Sequence, residues 1–455
     1  MPLCSLLPSL RRFSKARYAT ASILCSLGGF LLGLDTSIIG PVTVMDSFVH
    51  QFGTFPAAVH GILVSSILLS AAISSFFASR PADAGAMNLG MFATGCVIEG
   101  IGYGLYFGTQ TVYICEIAPP RVRGPLTSGP QFMTCLALVV GYFISFASVN
   151  IHGSLSWRLP FVITAVIGVG YVLINLYLLP ESPRWLLIHG RQAEADRAEA
   201  AELDNRVPDV PIEDTFGGSR ISTRVVRDGE KKHATFRDLW SPDVRKRTFL
   251  SVFLMGFLQL CGIDAVLYYA PLLFQQAGLQ SQQASFLASG VSAIVIVASS
   301  IPATLFADRW GRRTSTLLGG VGLTATMILI GGLYAGHAVR PTQGAARWVV
   351  IVTIYIYCIV QATTWGISIK VWAPEIQPQR YTGCNWVCNF FVALISPILL
   401  DKSASAAYFL FGGSTALATV VSFFYMIETK GRSLDDIDRA FRKRTAASAG
   451  AARLM

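Results

Sequence analysis

The sequence predicts an all-α integral membrane protein made of two helical bundles, and three observations carry that expectation. The 455 residues are 53% apolar and only 14% charged, whereas soluble domains carry about 25% charged residues. Apolar runs of a length that spans a bilayer recur along the chain, and helices are the open-ended way to cross one. Finally, the two halves carry matching motifs in the same order, the signature of an internal repeat.

The spans fall at 19–44, 58–79, 127–149, 157–180, 247–275, 284–307, 315–337, 346–371, 381–400 and 406–427, with an ambiguous apolar region at 84–118. Before the first span stand Arg11, Arg12, Lys15 and Arg17. A signal peptide starts in this way, but the apolar run continues past residue 40 and contains Asp35, so it is expected to be a retained helix. Residues 181–246 form a polar linker. It holds a helix-forming run at 192–201 and a basic end with Lys231, Lys232, Arg237, Arg245 and Lys246. The C-terminal tail carries Arg439, Arg442, Lys443 and Arg444. The positive-inside rule places the linker and both tails in the cytoplasm. The expected organisation is a tail at 1–18, a first bundle at 19–180, the linker at 181–246, a second bundle at 247–427 and a tail at 428–455.

Net charge is +10, but the Lys and Arg residues sit in loops and tails, so the charge is no sign of nucleic-acid binding. Nine cysteines are scattered, mostly in apolar runs, without metal-ligand or disulfide spacing. No phosphate-binding glycine loop and no nucleophile–base or metal constellation is present. The expectation is no enzyme, no cofactor and no metal.

Residues 256–274 stand at the centre of this organisation. They are apolar enough to span a bilayer, yet they include Gln259, Asp264, Tyr268 and Tyr269. A charged group at mid-membrane costs about 2.5–3.5 kcal/mol on insertion scales, so it faces a protein interior or a water-filled path. A bundle built around this segment has a polar interior.

The repeat pairs Gly33-Leu-Asp35 with Gly262-Ile-Asp264, each followed by a proline, Pro41 or Pro271. It pairs Glu116-Ile-Ala-Pro-Pro-Arg-Val-Arg-Gly124 with Glu375-Ile-Gln-Pro-Gln-Arg-Tyr-Thr-Gly383, and Glu181-Ser-Pro-Arg184 with Glu428-Thr-Lys-Gly-Arg432. Parallel repeats around a mid-membrane site are a transporter architecture. Asp308 to Glu375 covers 67 positions, whereas Asp83 to Glu116 covers 33. The first half is therefore short by about one spanning helix with its loop. Eleven spans are expected where the repeat calls for twelve, with the third helix absent between 83 and 116.

At these motifs the chain resembles the sugar porter family of the major facilitator superfamily, from about residue 19 to 436. Glu116–Gly124, Pro180-Glu-Ser-Pro-Arg-Trp185, Asp308-Arg-Trp-Gly-Arg-Arg313 and Glu428–Arg432 carry the resemblance. It implies two six-helix bundles, alternating access and a sugar, polyol or similar small polar solute as cargo, by uniport or with protons. It also implies Asp35 as the proton-binding carboxylate. The arginine that faces it in the family belongs to a Gly-Arg motif, which here reads Gly95-Cys96. The solute contacts implied are Gln131, Gln259, Asp264, Tyr268, Tyr269, Asn385 and Trp386. Asp264 replaces the family's asparagine, and Lys370 stands where a tryptophan is common. Lys370 is expected to neutralise Asp264, to favour an anionic solute, or to reach toward the cytoplasmic interface. Glu116, Arg123, Glu181, Arg184, Asp308, Arg309, Arg312, Arg313, Glu375, Glu428 and Arg432 are implied as cytoplasmic gate charges. A plasma-membrane monomer is the expected form. The rival is a non-transporting sensor or a defective shortened isoform.

Overall fold

The computed structural model describes residues 17–53, 56–74, 128–179, 245–279, 281–340, 344–376 and 382–430, with scattered residues between 99 and 126 and at 186, 191 and 192. All elements among them are helices. The first bundle contains α1 (Arg17–Thr43), α2 (Asp46–Phe52), α3 (Ala57–Ser74), α4 (Gly129–Val149) and α5 (Leu155–Leu178). The second contains α6 (Arg245–Leu260), α7 (Ile263–Tyr268), α8 (Ala270–Gln276), α9 (Gln282–Trp310), α10 (Arg312–Ala335), α11 (Ala346–Thr363), α12 (Trp365–Ile376), α13 (Thr382–Lys402) and α14 (Ala404–Tyr425). Eight helical segments among the described residues are long and apolar enough to cross a membrane. Every span expected outside 84–118 has a helical counterpart. The described residues from 99 to 117 are helical too; the third helix was expected to be absent between 83 and 116, and 83–98 of that stretch lie outside the described residues.

Two spans expected as continuous are broken. Residues 346–371 divide at Thr364, between α11 and α12. The span at 247–275 divides twice. At Gly262 the backbone is left-handed, with φ 93°, and an added Cβ would lie 2.7 Å from the Phe411 ring. Both facts favour glycine there. At Tyr269 the chain turns again just before Pro271, which has no N–H to return to the carbonyl of Leu267.

Each break frees carbonyls in an apolar interior, where an unpaired backbone group is costly. Side chains from neighbouring helices supply the missing donors. Ser414 Oγ donates to the Leu260 carbonyl at 2.5 Å, and Tyr357 Oη donates to that of Cys261 at 2.9 Å. Tyr142 Oη, from the first bundle, donates to that of Leu267. The polar kinks are therefore built into the structure, and they tie α7 to both halves.

Within the first bundle, α1 packs along α4. Gly29, Gly33 and Ser37 recur at one-turn spacing on this face. Added Cβ atoms at Gly29 and Gly33 would run into the carbonyls of Pro130 and Thr134, and Thr134 Oγ1 donates to the Gly29 carbonyl at 2.9 Å. Small residues let membrane helices approach this closely.

Between the bundles, α3 packs on α13 and α4 on α9. The repeat explains this pairing. Asp308 lies near the end of α9 as Asp83 follows α3, and the Glu-containing motifs at 116 and 375 precede α4 and α13. The two seams therefore exchange under the repeat. Further contacts between the bundles gather at the end where α1 finishes. Gly40 lies against the Tyr268 carbonyl with no room for a Cβ, and a Cβ at Gly61 would lie 2.5 Å from the Leu394 carbonyl. Gln283 Nε2 donates to Asn150 Oδ1 at 3.1 Å. Outward faces are apolar; along α5, Val162, Val166, Val169 and Leu173 are exposed, as a lipid-facing stripe requires.

Replacing Tyr142 with Phe leaves the Leu267 carbonyl without its donor. The expected loss is about 1–3 kcal/mol, read as a thermal midpoint several degrees lower for the purified protein. An unchanged midpoint would show that Leu267 finds another partner.

Candidate functional site

The kinked segment sets the site. Asp264 and Tyr268 are one turn apart on α7, and both are buried. α7 packs against α1 of the first bundle and α13 of the second, so its side chains meet groups from both. Tyr268 faces Thr36 on α1 and Asn389 on α13, and it lies within electrostatic reach of both Asp35 and Asp264. One turn earlier on α13 lies Asn385, which is buried and whose Oδ1 has no hydrogen-bond partner. The second carboxylate oxygen of Asp264, Oδ2, is likewise buried without a partner.

Lys370, on α12, does not extend away toward a membrane interface. Its Nζ donates to Gln131 Oε1 on α4 at 2.6 Å, and its charge faces Asp264. This bond joins residues 239 positions apart and crosses from the second bundle to the first. Gln131 Nε2 also reaches Cys135 Sγ at 3.7 Å.

On the first-bundle side Asp35 sits deep in α1 at 5% exposure. The charged group beside it is another carboxylate, Glu99, whose Oε1 accepts from Tyr103 Oη at 3.2 Å. Sequence reasoning missed Glu99, Tyr103, Thr36 and Asn389. A glutamate in the middle of the apolar region 84–118 was the available signal for Glu99, because an ionisable group at membrane depth marks function.

The remaining expected contacts are placed less centrally or serve the fold. Gln259 is buried at 6% on the α6 side of the kink. Tyr269 donates its hydroxyl to the Ala393 carbonyl at 2.8 Å and packs edge-on against His60. Trp386 is buried at 3% in the cluster that Leu34, Ile38 and Leu63 form at the closed end.

Of the gate charges, Glu116, Arg123, Glu181, Arg184 and Arg432 lie outside the described residues, as do the side chains of Asp308, Arg309 and Glu375. Glu428 is described, and it binds backbone. Its Oε1 accepts from the N–H of Arg312 at 2.8 Å and its Oε2 from that of Arg313 at 3.0 Å. The N–H groups of Thr429 and Lys430 each approach Oε1 at 3.1 Å. Glu428 therefore caps the N-terminus of α10, where backbone donors are otherwise free. Partial burial opposes its charge, but the four backbone donors outweigh it and hold the carboxyl below its ordinary 4.5. Arg313 in turn donates Nη2 to the Phe423 carbonyl at 2.8 Å, closing α10 against α14.

Polar groups within electrostatic reach of one another thus cross the seam, from Glu99 and Asp35 through Tyr268 and Asp264 to Lys370, and Lys370 is hydrogen-bonded to Gln131. A family profile described as Sugar (and other) transporter matches residues 60–441. The chain belongs to that family. It is a membrane carrier of sugars or similar polar solutes, proton-coupled or facilitative, and not an enzyme.

Among its relatives, a high-affinity glucose transporter of Kluyveromyces lactis is 26% identical, covering 93% of this chain and 84% of the relative. The glucose transporter GlcP of Staphylococcus epidermidis is also 26% identical, over 95% and 99%. The solved structure of the proton:xylose symporter XylE bound to 6-bromo-6-deoxy-D-glucose superposes with a TM-score of 0.72 at 23% identity, covering 94% of this chain and 100% of XylE. A partially occluded inward-open form of XylE from E. coli superposes at 0.68 and 22% identity. These likenesses confirm the major facilitator fold.

The Glu428 cap gives a stability test with a definite sign. Because its folded value is lowered, its contribution is complete above the ordinary value of 4.5 and is lost as pH falls through the folded value. Glu428→Gln is expected to cost about 0.5–1 kcal/mol at pH 7, the low end for a cap because the group is half open to water. The difference in thermal midpoint from the parent should narrow on acidification below pH 4.5. A constant difference would assign the effect to packing instead of charge.

Proposed function

We propose that this transporter moves a neutral sugar or polyol across the plasma membrane by alternating access, with Asp35 as the proton-binding group. The chain is read as a monomer with both termini in the cytoplasm, and its two bundles enclose the solute between them. The observation that carries this reading is the polar chain across the seam, in which solute-binding residues and a buried carboxylate share Tyr268. Proton uptake at Asp35 and solute binding at Asp264, Gln131 and Asn385 then act on the same tyrosine. The relatives named as glucose transporters, and the neighbour named as a proton:xylose symporter, support this cargo and this coupling.

With the termini inside, the end where α1 finishes is extracellular. The two bundles pack together there through Gly40, Gly61 and Asn150, and we read this as the extracellular closure. The outward-facing form requires this end to part and the cytoplasmic end to close. Glu428 and the arginines of α10 are read as part of that second closure, together with the partner charges expected at 116–123, 181–184, 375 and 432. A two-state carrier needs both ends to be breakable.

In a transporter-deficient cell, labelled glucose or xylose is expected to accumulate in a manner that collapses when the proton gradient is dissipated. Asp35→Asn should reduce accumulation at least tenfold while normal surface expression is kept. Accumulation that survives the substitution would remove Asp35 from the mechanism.

A further inference from the structure

The Lys370–Gln131 bond joins the bundles at the centre of the site. We infer that the Lys370 ammonium competes with the solute for Gln131 of the opposite bundle, and that a neutral polyhydroxylated solute binds by displacing it. The inference rests on the transport reading of this site and adds the chemistry of the cargo and the role of a residue in choosing it.

Four observations lead there. Lys370 Nζ to Gln131 Oε1 is a short, charge-assisted bond at 2.6 Å. Gln131 is on the position implied as a sugar contact, so the ammonium occupies a hydrogen-bonding partner that a solute needs. Asp264 lies within electrostatic reach of Lys370, as do the thiols of Cys135 and Cys261. What remains open is acceptor chemistry, because Asp264 Oδ2 and Asn385 Oδ1 are buried without donors.

Those open groups define the ligand. Two unpaired buried acceptors call for a molecule that brings donors, and each left unpaired is costly. Hydroxyl groups donate. An ionised carboxylate only accepts, so the acid group of an acidic sugar cannot pair with Asp264 Oδ2 and sets a second negative charge in the site. An amino sugar brings donors but sets a second cation beside Lys370. A neutral sugar satisfies both open acceptors and takes Gln131 Oε1 with a third hydroxyl. Lys370 is half-buried, and its flexible stem lets the ammonium withdraw. Until it is displaced, the lysine links the bundles through Gln131.

The test uses the purified full chain, with tryptophan fluorescence reporting binding of glucose, xylose and glucuronate. Three proteins are compared: the parent, K370M, and D264N/K370M, which removes both charges together and controls for the stranded carboxylate that K370M alone leaves. The parent should bind glucose or xylose at least tenfold more tightly than glucuronate, and D264N/K370M should bind the neutral sugar at least threefold more tightly than the parent. A thermal-melt cycle of Gln131→Leu and Lys370→Met, run without sugar, reads the bridge by itself: the double variant should lose no more than the more damaging single variant. Additive losses would overturn the bridge whatever the cargo. A coupled cycle with neutral-sugar affinity unchanged or weaker in D264N/K370M would overturn displacement. Tighter binding of glucuronate than of glucose, abolished by K370M, would overturn it too and make Lys370 an anion-binding group. If the parent binds no sugar while the cycle is coupled, the transport reading of the cargo fails and the bridge stands.

Discussion

A chain inside a bilayer has to satisfy its own backbone, and in this protein that constraint falls hardest on residues 245–276. Gly262 and Pro271 interrupt the helical ladder twice within ten residues. The freed carbonyls of Leu260, Cys261 and Leu267 take hydroxyl donors from Ser414, Tyr357 and Tyr142. The donors come from three different helices, one of them in the opposite bundle. The kink is therefore fixed from several sides, and the short helix between its breaks presents Asp264 and Tyr268 at the seam. Irregular backbone at membrane depth is tolerated where protein or a cavity surrounds it, and here it also places the polar groups.

From that placement follows the division of labour between the halves. The first bundle brings Asp35 and Gln131, the second brings Asp264, Lys370 and Asn385, and Tyr268 stands between them. None of these groups forms a site alone. Because Gln131 and Lys370, and likewise Asp35 and Tyr268, face each other from opposite bundles, the proposed movement of the bundles would change these pairings. A ligand shifts such an equilibrium only through its different affinity for the two states. Close helix packing at glycines keeps each bundle rigid enough for the change to be one of arrangement. The carboxylate pair of Asp35 and Glu99 departs from the carboxylate–arginine pair the family resemblance implies, and it leaves Asp35 facing a like charge.

Much of the fold was legible. Spans, repeat and the polar central segment follow from apolar runs, matching motifs, and the Gln, Asp and Tyr residues of 256–274. The breaks at Gly262 and Thr364 were not, because local composition there is as helical as its surroundings and only the neighbours' hydroxyls make the interruptions tolerable. For the site, the individual residues on α7 and α13 were legible as polar groups in apolar runs. Their partners were not: Lys370 and Gln131 are far apart in sequence, and nothing local says that one reaches the other. Three destinations were open for Lys370, and the structure places its ammonium on Gln131 Oε1, within electrostatic reach of Asp264. Glu428 was expected as a gate charge, and beside that role its bonds to the N–H groups of Arg312 and Arg313 make it a helix cap. An adjacent arginine side chain and an adjacent helix N-terminus look alike in a motif, because both call for a carboxylate.

The central claim is that one site, shared by two bundles, is offered alternately to the two sides of a membrane. Trans-stimulation in proteoliposomes tests it most directly. The full chain is reconstituted, the vesicles are preloaded with unlabelled glucose, and the initial entry of labelled glucose is measured. Alternating access predicts entry that saturates with concentration and is several-fold faster into preloaded than into empty vesicles. Entry that is indifferent to preloading and linear in concentration, or binding with no entry at all, would contradict the account.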